Sequence, residues 1–416
     1  MLKKLLLAWS LLSLLAISLA ACSQTPPGSP HPQPGPATGT PAPVSDTPLA
    51  VTMPPLALGT HPNVVFFTNS NSNQASLSGL LERYDRVTQK SADVIRMPGV
   101  KIEEAQLSSD GQWILFIAYV TDHDELRLVR IDGQHLQTLL AAPPYAGLNS
   151  AQWSPDQRFI VFDQQPPESG PTITYLLDIQ HVQLRTLLTS GNGPDTPAYA
   201  PRKWLNATQV ALVSAQNPNG PMQNIYILDI SKAASQPRQV YSGSLQCKDF
   251  DTNSDGTQLF MSSCTLKDSQ QGETGSSAIT VQPINGGTPR TIYHSSTLIV
   301  QQIRFQQPRT LLLLATTGLW TINADGSGLR RIFATNGPLY QRNFQSFAPY
   351  SQSSWSNVSR DGALFALQAI QAGVDTHTSS LAYGAFSDGV LHTFASAYVG
   401  LVSPGSDVYL AGWTTF

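Results

Sequence analysis

Leu107-Ser108-Ser109-Asp110-Gly111, followed by the apolar run Trp113-Ile114-Leu115-Phe116-Ile117, is the stretch from which the rest of the chain can be read. A Ser, an Asp and a Gly between two β-like runs supply the side-chain oxygens and the left-handed backbone that a tight hairpin needs. Six further turn signals follow, at Ser154-Pro155-Asp156, Asn206-Ala207, Ser254-Asp255-Gly256, Gln307-Pro308, Arg360-Asp361-Gly362 and Ser403-Pro404-Gly405. Counted from Asp110 the steps are 46, 50, 49, 53, 53 and 44 residues, at or slightly above the period of a four-stranded propeller blade.

Each unit repeats one grammar. In the second, Glu104-Ala105-Gln106-Leu107 precedes the turn, the Trp113 run follows it, and Glu125 to Ile131 and Leu136 to Leu140 form a second hairpin around Asp132-Gly133. The third repeats it with Ala151-Gln152-Trp153, Phe159-Ile160-Val161-Phe162, Thr174-Tyr175-Leu176-Leu177 and Leu184 to Leu188. No segment carries an amphipathic helix of ten residues or more, so residues 62–416 are expected to be all-β, a β-propeller of antiparallel blades. The region opens with Val64-Val65-Phe66-Phe67, Leu80 to Val87 and Val94-Ile95-Arg96, with no first strand before them. It finishes with Val399-Gly400-Leu401-Val402 and Val408-Tyr409-Leu410-Ala411, which read as one more first hairpin. Pairing the N- and C-terminal strands closes the ring and removes edges that promote aggregation. Both ends then offer a second-position strand, so seven blades are expected, with eight as the alternative.

Asn323-Ala324-Asp325-Gly326-Ser327-Gly328-Leu329-Arg330-Arg331, Trp153-Ser154-Pro155-Asp156 and the opening stretch resemble the WD40-like repeats of TolB-type bacterial propellers. The resemblance runs through the folded region and is weakest in the fourth unit, where Asn206 stands for the Asp. It implies that the turn residues are structural and that function is protein binding at a face or mouth of the channel.

The first residues are an address. Lys3 and Lys4 precede the apolar Leu5 to Ser18, too short for a bilayer that needs about 20 residues, so residues 1–21 read as a signal peptide. Leu19-Ala20-Ala21-Cys22 resembles the bacterial lipobox, which implies acylation of Cys22, cleavage before it, and an extracytoplasmic domain tethered to the cell membrane or outer membrane. Residues 22–61 are dominated by Pro, Ser, Thr and Gly, and are expected to form a disordered stalk.

Removing Lys3 and Lys4 takes the formal charge from −3 to −5, and no basic stripe is visible, which argues against nucleic acid. With Cys22 assigned to lipid, Cys247 and Cys264 flank the Ser254-Asp255-Gly256 turn and are expected to form a cross-strand disulfide. Asp251, Asn253 and Asp255 match the opening of a calcium loop, but Ser262 occupies the twelfth position, where a bidentate Glu is required, so a blade turn is the better reading and no metal is expected. Thr121-Asp122-His123-Asp124-Glu125 reads as a hairpin tip, and Trp113, Trp153, Trp204, Trp320 and Trp355 as packing between blades. There is no Gly-x-Ser-x-Gly elbow, His-Glu-x-x-His or phosphate loop, so no catalytic residue or cofactor is assigned. The expectation is a monomeric, non-catalytic scaffold that binds a protein through Asp122 to Glu125, Gln164 to Thr172, Lys267 to Ser277 and Asn336 to Ser353. The alternative is a propeller binding carbohydrate or another small molecule in its channel, with or without catalysis.

Overall fold

The computed structural model describes residues 41–43, 49–70, 77–166, 170–191, 198–215, 224–232, 235–242, 246–267, 274–306, 308–334, 358–372, 376–400 and 407–416. An arm comes first, made of β1 (Ala42–Pro43) and the one-turn helix α1 (Leu49–Thr52). Blade 1 takes β2 (Asn63–Ser70), β3 (Ser78–Asp85) and β4 (Lys90–Pro98) from this end of the chain. Blade 2 is β5 (Val100–Leu107), β6 (Trp113–Val120), β7 (His123–Arg130) and β8 (Gln137–Ala141). Blade 3 follows as β9 (Gly147–Trp153), β10 (Phe159–Gln165), β11 (Thr172–Asp178) and β12 (Gln183–Ser190). Blade 4 is β13 (Ala198–Trp204), β14 (Gln209–Ala215), β15 (Asn224–Asp229) and β16 (Arg238–Ser242). Blade 5 is β17 (Gln246–Thr252), β18 (Gln258–Lys267), β19 (Thr274–Pro283) and β20 (Arg290–Ser295). Blade 6 is β21 (Val300–Gln306), β22 (Thr310–Ala315), β23 (Gly318–Asn323) and β24 (Arg330–Ala334). In blade 7, β25 (Leu364–Ala372), β26 (Thr376–Ala385) and β27 (Leu391–Gly400) follow a bridge from Val358 to Phe365. The last strand, β28 (Asp407–Thr414), returns to pair with β2 and completes blade 1.

Seven blades therefore close as one strand plus three. Among the described residues there is no surplus strand. Val399 and Gly400 are the end of a fourth strand, paired with His377 and Thr376, whereas Val408 to Ala411 lie in the first strand of the next blade. Ser403-Pro404-Gly405 falls between different sheets, outside the described residues; it had read as a hairpin turn because apolar runs flank it on both sides. Ser354 to Ser356, the short run before the Arg360-Asp361-Gly362 turn, also lie outside them.

Seven apolar clusters fill the seven seams of the ring. The second strand of each blade explains why. Along β6, Ile114, Phe116 and Ala118 pack toward blade 1, while Trp113, Leu115 and Ile117 pack toward blade 3. Along β22, Leu311 and Leu313 face blade 5, and Leu312 and Leu314 face blade 7. Alternate side chains of one strand enter opposite seams, so the strand must be apolar at every position.

The turns are tied by their own side chains. Ser108 Oγ donates to Asp110 Oδ1 at 2.5 Å and accepts the Trp113 N–H at 3.0 Å. Ser154 with Asp156, and Ser359 with Asp361, repeat the arrangement. At the turn between third and fourth strands, Gly326 lies against the neighbouring blade, where an added Cβ would sit 2.0 Å from the Ile292 carbonyl oxygen. Gly133 and Gly389 meet the Val94 and Ile332 carbonyls in the same way. In blades 4 and 5 the turn is held from the preceding blade by a side chain, with Arg185 and Arg238 donating to the Ile230 and Ile284 carbonyls.

The stalk expectation needs correction at its far end. Ala42 and Pro43 pair with Ala141 and Leu140 on the outer edge of blade 2, an edge position where proline's missing donor costs nothing. Ala50 and Met53 pack on the seam between blades 2 and 3, and Leu56 packs on that between blades 1 and 2. The Leu56 N–H donates to Gln112 Oε1 at 2.5 Å. Apolar residues scattered in a proline-rich segment thus find uncovered seam surface.

Candidate functional site

The first strands carry a recurrent irregularity. Bulges against the second strand fall at Glu103, at Ser150-Ala151, at Arg202, at Cys247-Lys248, at Gln301 and, in β28, at Ala411. An extra residue breaks the strict in-out alternation and re-aims its neighbours. Beside these bulges stand Glu104, Lys203, Asp249, Asp251 and Arg304.

These charges are bonded from blade to blade. Asp249 accepts Arg202 Nη2 at 3.0 Å from blade 4, and the Ile303 N–H at 2.9 Å and Arg304 Nη1 from blade 6. Asp251 accepts the Phe305 N–H at 2.7 Å and pairs with Lys203 Nζ. Glu104 accepts the N–H groups of Ser150 and Ala151 at 3.0 and 3.3 Å, and Gln106 accepts that of Trp153 at 3.0 Å. Above them Asp124 accepts the Leu148 N–H at 2.8 Å. Acids cluster on blades 2 and 3, and cations on blades 4 and 6 with two carboxylates between them.

Enclosure moves several of these groups toward neutrality. Burial pushes the Glu104 carboxyl up to about 8, against the pull of its two amide donors. Asp124 is raised to about 6, also by burial, and Asp163 well above the carboxylate range by burial and then by the charge of Glu104. Lys203 goes the other way, to about 7, through burial and then the Arg304 and Arg202 guanidiniums. It keeps 40% of its side-chain area open. Glu104 is thus enclosed between blades 2 and 3, while Lys203 holds Asp251 with part of its side chain exposed.

The residues expected from sequence are distributed differently. Cys22 lies outside the described residues. Cys264 is buried in β18 and is disulfide-bonded; its backbone partner is Gln246, adjacent to Cys247, whose side chain lies outside the described residues. The calcium-loop residues do not converge: Asp251 turns to blade 6, while Asn253 and Asp255 accept the Thr257 N–H at 2.9 and 3.0 Å within their own turn. In the Asp122 tip, His123 bridges Asp122 and Glu125 at 2.9 and 3.3 Å, and Asp124 points the other way, into the seam with blade 3. Trp113, Trp153 and Trp204 are buried in seams, Trp320 is half-buried beneath Arg331, and Trp355 lies outside the described residues. The Asn336 to Ser353 connection lies outside them too.

The charged belt is the feature that sequence reasoning missed. Its signal is the blade period itself: Glu104, Ser150, Arg202, Asp249 and Arg304 stand four to six residues before successive turn positions.

An all-β ring of seven four-stranded antiparallel blades, closed between its two ends, is a β-propeller. No protein-family model matches the sequence, and no curated protein does. Among solved structures, an oligogalacturonate lyase in complex with manganese is similar at 11% identity and a TM-score of 0.52, over 72% of this chain and 84% of that one. A functionally unknown protein from Desulfotomaculum acetoxidans is similar at 10% and 0.50, over 83% and 99%. The similar structures include TolB proteins; with TolB from Acinetobacter baumannii the identity is 14% and the TM-score 0.39, and the match spans 64% of this chain and 61% of that one. At such identities the likeness establishes the fold.

Proposed function

We propose that this propeller is a membrane-tethered, extracytoplasmic scaffold that binds a protein partner without catalysis. One observation carries it. The hairpins between second and third strands are longest in two blades: β18 and β19 pair over ten residues, from Gln258 opposite Pro283 out to Lys267 opposite Thr274, and β25 and β26 over nine, out to Ala372 opposite His377. Those of blades 1 and 2 pair over eight, and those of blades 3, 4 and 6 over six. Both extensions leave the end of the ring opposite the tight turns, and rigid sheets that present long hairpins build recognition surfaces. The tether follows from the lipobox-like Leu19-Ala20-Ala21-Cys22.

The test is cross-linked affinity purification of the tagged protein from its native membranes, beside Cys22→Ala and a variant with residues 265–276 replaced by a two-residue turn. A stoichiometric protein recovered with the wild type, and lost with the shortened hairpin, is expected. Recovery of the same protein with both variants overturns the hairpin assignment and the need for the anchor.

A second reading is supported by the belt. The Lys203 side chain is part-exposed, its ammonium pairs with Asp251, and two guanidiniums stand near it, which suits a small anionic ligand in the channel. Lys203→Ala abolishing ligand-induced thermal stabilisation by small acids, with partner recovery unchanged, would favour this reading over the first.

A further inference from the structure

The large apolar side chains left exposed are not scattered. Among the described residues they are Leu58, Val87, Leu136, Tyr145, Leu329, Val390 and Leu391. All but Tyr145 lie at the tight-turn end of the ring. Val87, Leu136, Leu329 and the Val390-Leu391 pair occupy the same place, the turn between third and fourth strands, in blades 1, 2, 6 and 7. Leu58 belongs to the arm where it passes under blade 1, next to Gly59 against the Thr415 carbonyl. Blades 6, 7, 1 and 2 are consecutive around the ring. In blades 3, 4 and 5 the described residues of the same turns carry Gln180-His181 ahead of a half-buried Val182, Ser231-Lys232 and Asn285-Gly286. The apolar tips therefore form an arc, with Leu58 71%, Val87 57% and Val390 51% exposed.

Cations share the arc. Arg86 and Lys90 flank Val87, Arg330 and Arg331 follow Leu329, and Arg309 and Arg360 sit in the first turns of blades 6 and 7. Of these, Lys90, Arg309, Arg330, Arg331 and Arg360 are exposed. The carboxylates in the same turns, Asp85, Asp325, Asp361 and Asp388, each accept a turn N–H, from Val87, Ser327, Ala363 and Val390 at 2.8, 2.8, 3.0 and 2.8 Å. Asp325, Asp361 and Asp388 are exposed as well, and in blade 2 Asp110 accepts the Gln112 N–H at 3.0 Å while Asp132 pairs with Arg130, so bases and acids alternate along the arc, on a chain whose formal charge is −3. Antiparallel blades bring all these turns to one end, so tips and cations approach a common plane.

We propose that this arc rests on an anionic phospholipid surface, with Val87, Leu329, Val390 and Leu391 entering the headgroup boundary and the Lys and Arg side chains against the phosphates. Apolar side chains with interspersed bases are the recognised combination for binding in the interface plane. Tips distributed over four blades suit a broad fluid surface, whereas a protein pocket would want them gathered. The hairpins of blades 5 and 7 would then point away from the membrane, toward a partner.

Hydrogen exchange of the full-length protein tests this with vesicles of phosphatidylcholine alone and of phosphatidylcholine mixed with phosphatidylglycerol. The expected result is a several-fold slowing at residues 86–89, 327–330 and 388–391 on the mixed vesicles only, none at 180–181 or 231–232, and reversal by high salt. The triple variant Val87→Ser, Leu329→Ser, Val390→Ser keeps the same N-terminus and so the same anchor; it should lose the slowing while its exchange in the strands stays that of the wild type. No slowing on mixed vesicles, or equal slowing on both arcs, overturns the proposal. Slowing on native membranes but not on protein-free vesicles assigns the arc to a protein and overturns it equally.

Discussion

At Glu104 a carboxyl is held between two first strands by amide donors and enclosed enough to keep its proton near neutral pH. Its folded value, about 8, lies above the ordinary 4.5, so the folded state binds more protons than the unfolded chain between those values. The group's stabilising contribution is complete below about pH 4.5 and is lost as pH rises toward 8, at a limiting slope of about 1.4 kcal/mol per pH unit. Asp163 and Asp124, raised by the same burial, add in the same direction. Glu104→Gln keeps an acceptor for one amide and has no proton to lose. Urea midpoints measured from pH 5 to pH 8 should therefore fall for the wild type and fall less for the variant. Parallel curves would mean that water reaches Glu104 and that it is an ordinary carboxylate.

Among the elements, β17 and β18 hold the one candidate covalent link. Cys264 is disulfide-bonded, and Cys247 follows Gln246, its partner in the ladder, at a bulge. We predict that the two cysteines are joined, which would close a loop across the Ser254-Asp255-Gly256 turn and stabilise blade 5 by about 2 to 3 kcal/mol. Denatured, unreduced protein should show neither thiol to an alkylating reagent, and reduction should lower the melting temperature of the wild type but not of a Cys247→Ser, Cys264→Ser variant. Two alkylatable thiols without reductant would remove the link. Second strands were legible because both faces enter seams and the apolar run is unbroken, as in Leu311 to Leu314. Turns were legible because Ser, Asp and Gly bond each other locally. Fourth strands were legible as short runs, Leu136 to Leu140 and Leu184 to Leu188 among them, but their ends were not, and Val399 and Gly400 at the far end of Leu391–Gly400 read as the start of another unit. The arm was hidden for a related reason: proline-rich composition outweighed the few side chains, Ala50, Met53 and Leu56, that decide where it docks. The belt escaped because its members are about a blade apart in sequence and meet only when the ring closes.

For the whole molecule, closure is the energetic issue that no single blade settles. Six seams join blades that follow one another in the chain, while blade 1 is completed only when β28 returns to β2 over Asn63 opposite Thr414 to Asn69 opposite Asp407. Thr414 Oγ1 also donates to the Gly111 carbonyl of blade 2 at 2.8 Å, so the last strand joins its neighbours on both sides. Trp413 is buried in the seam between blades 7 and 1, and Trp204 is equally buried between blades 3 and 4. Replacing either with alanine should cost about 3 to 5 kcal/mol in lost packing. The consequences should nevertheless differ. Loss of Trp204 loosens a seam whose blades remain linked by the chain, but loss of Trp413 frees a terminal strand, and its departure bares the β2 edge at Val64 to Phe67. Trp413→Ala should therefore speed exchange of β2 amides selectively and give concentration-dependent association in sedimentation, while Trp204→Ala should melt lower and remain monomeric. Matching exchange and sedimentation for the two variants would show that blade 1 holds together without its final strand, and that the ring is stabilised seam by seam rather than by closure.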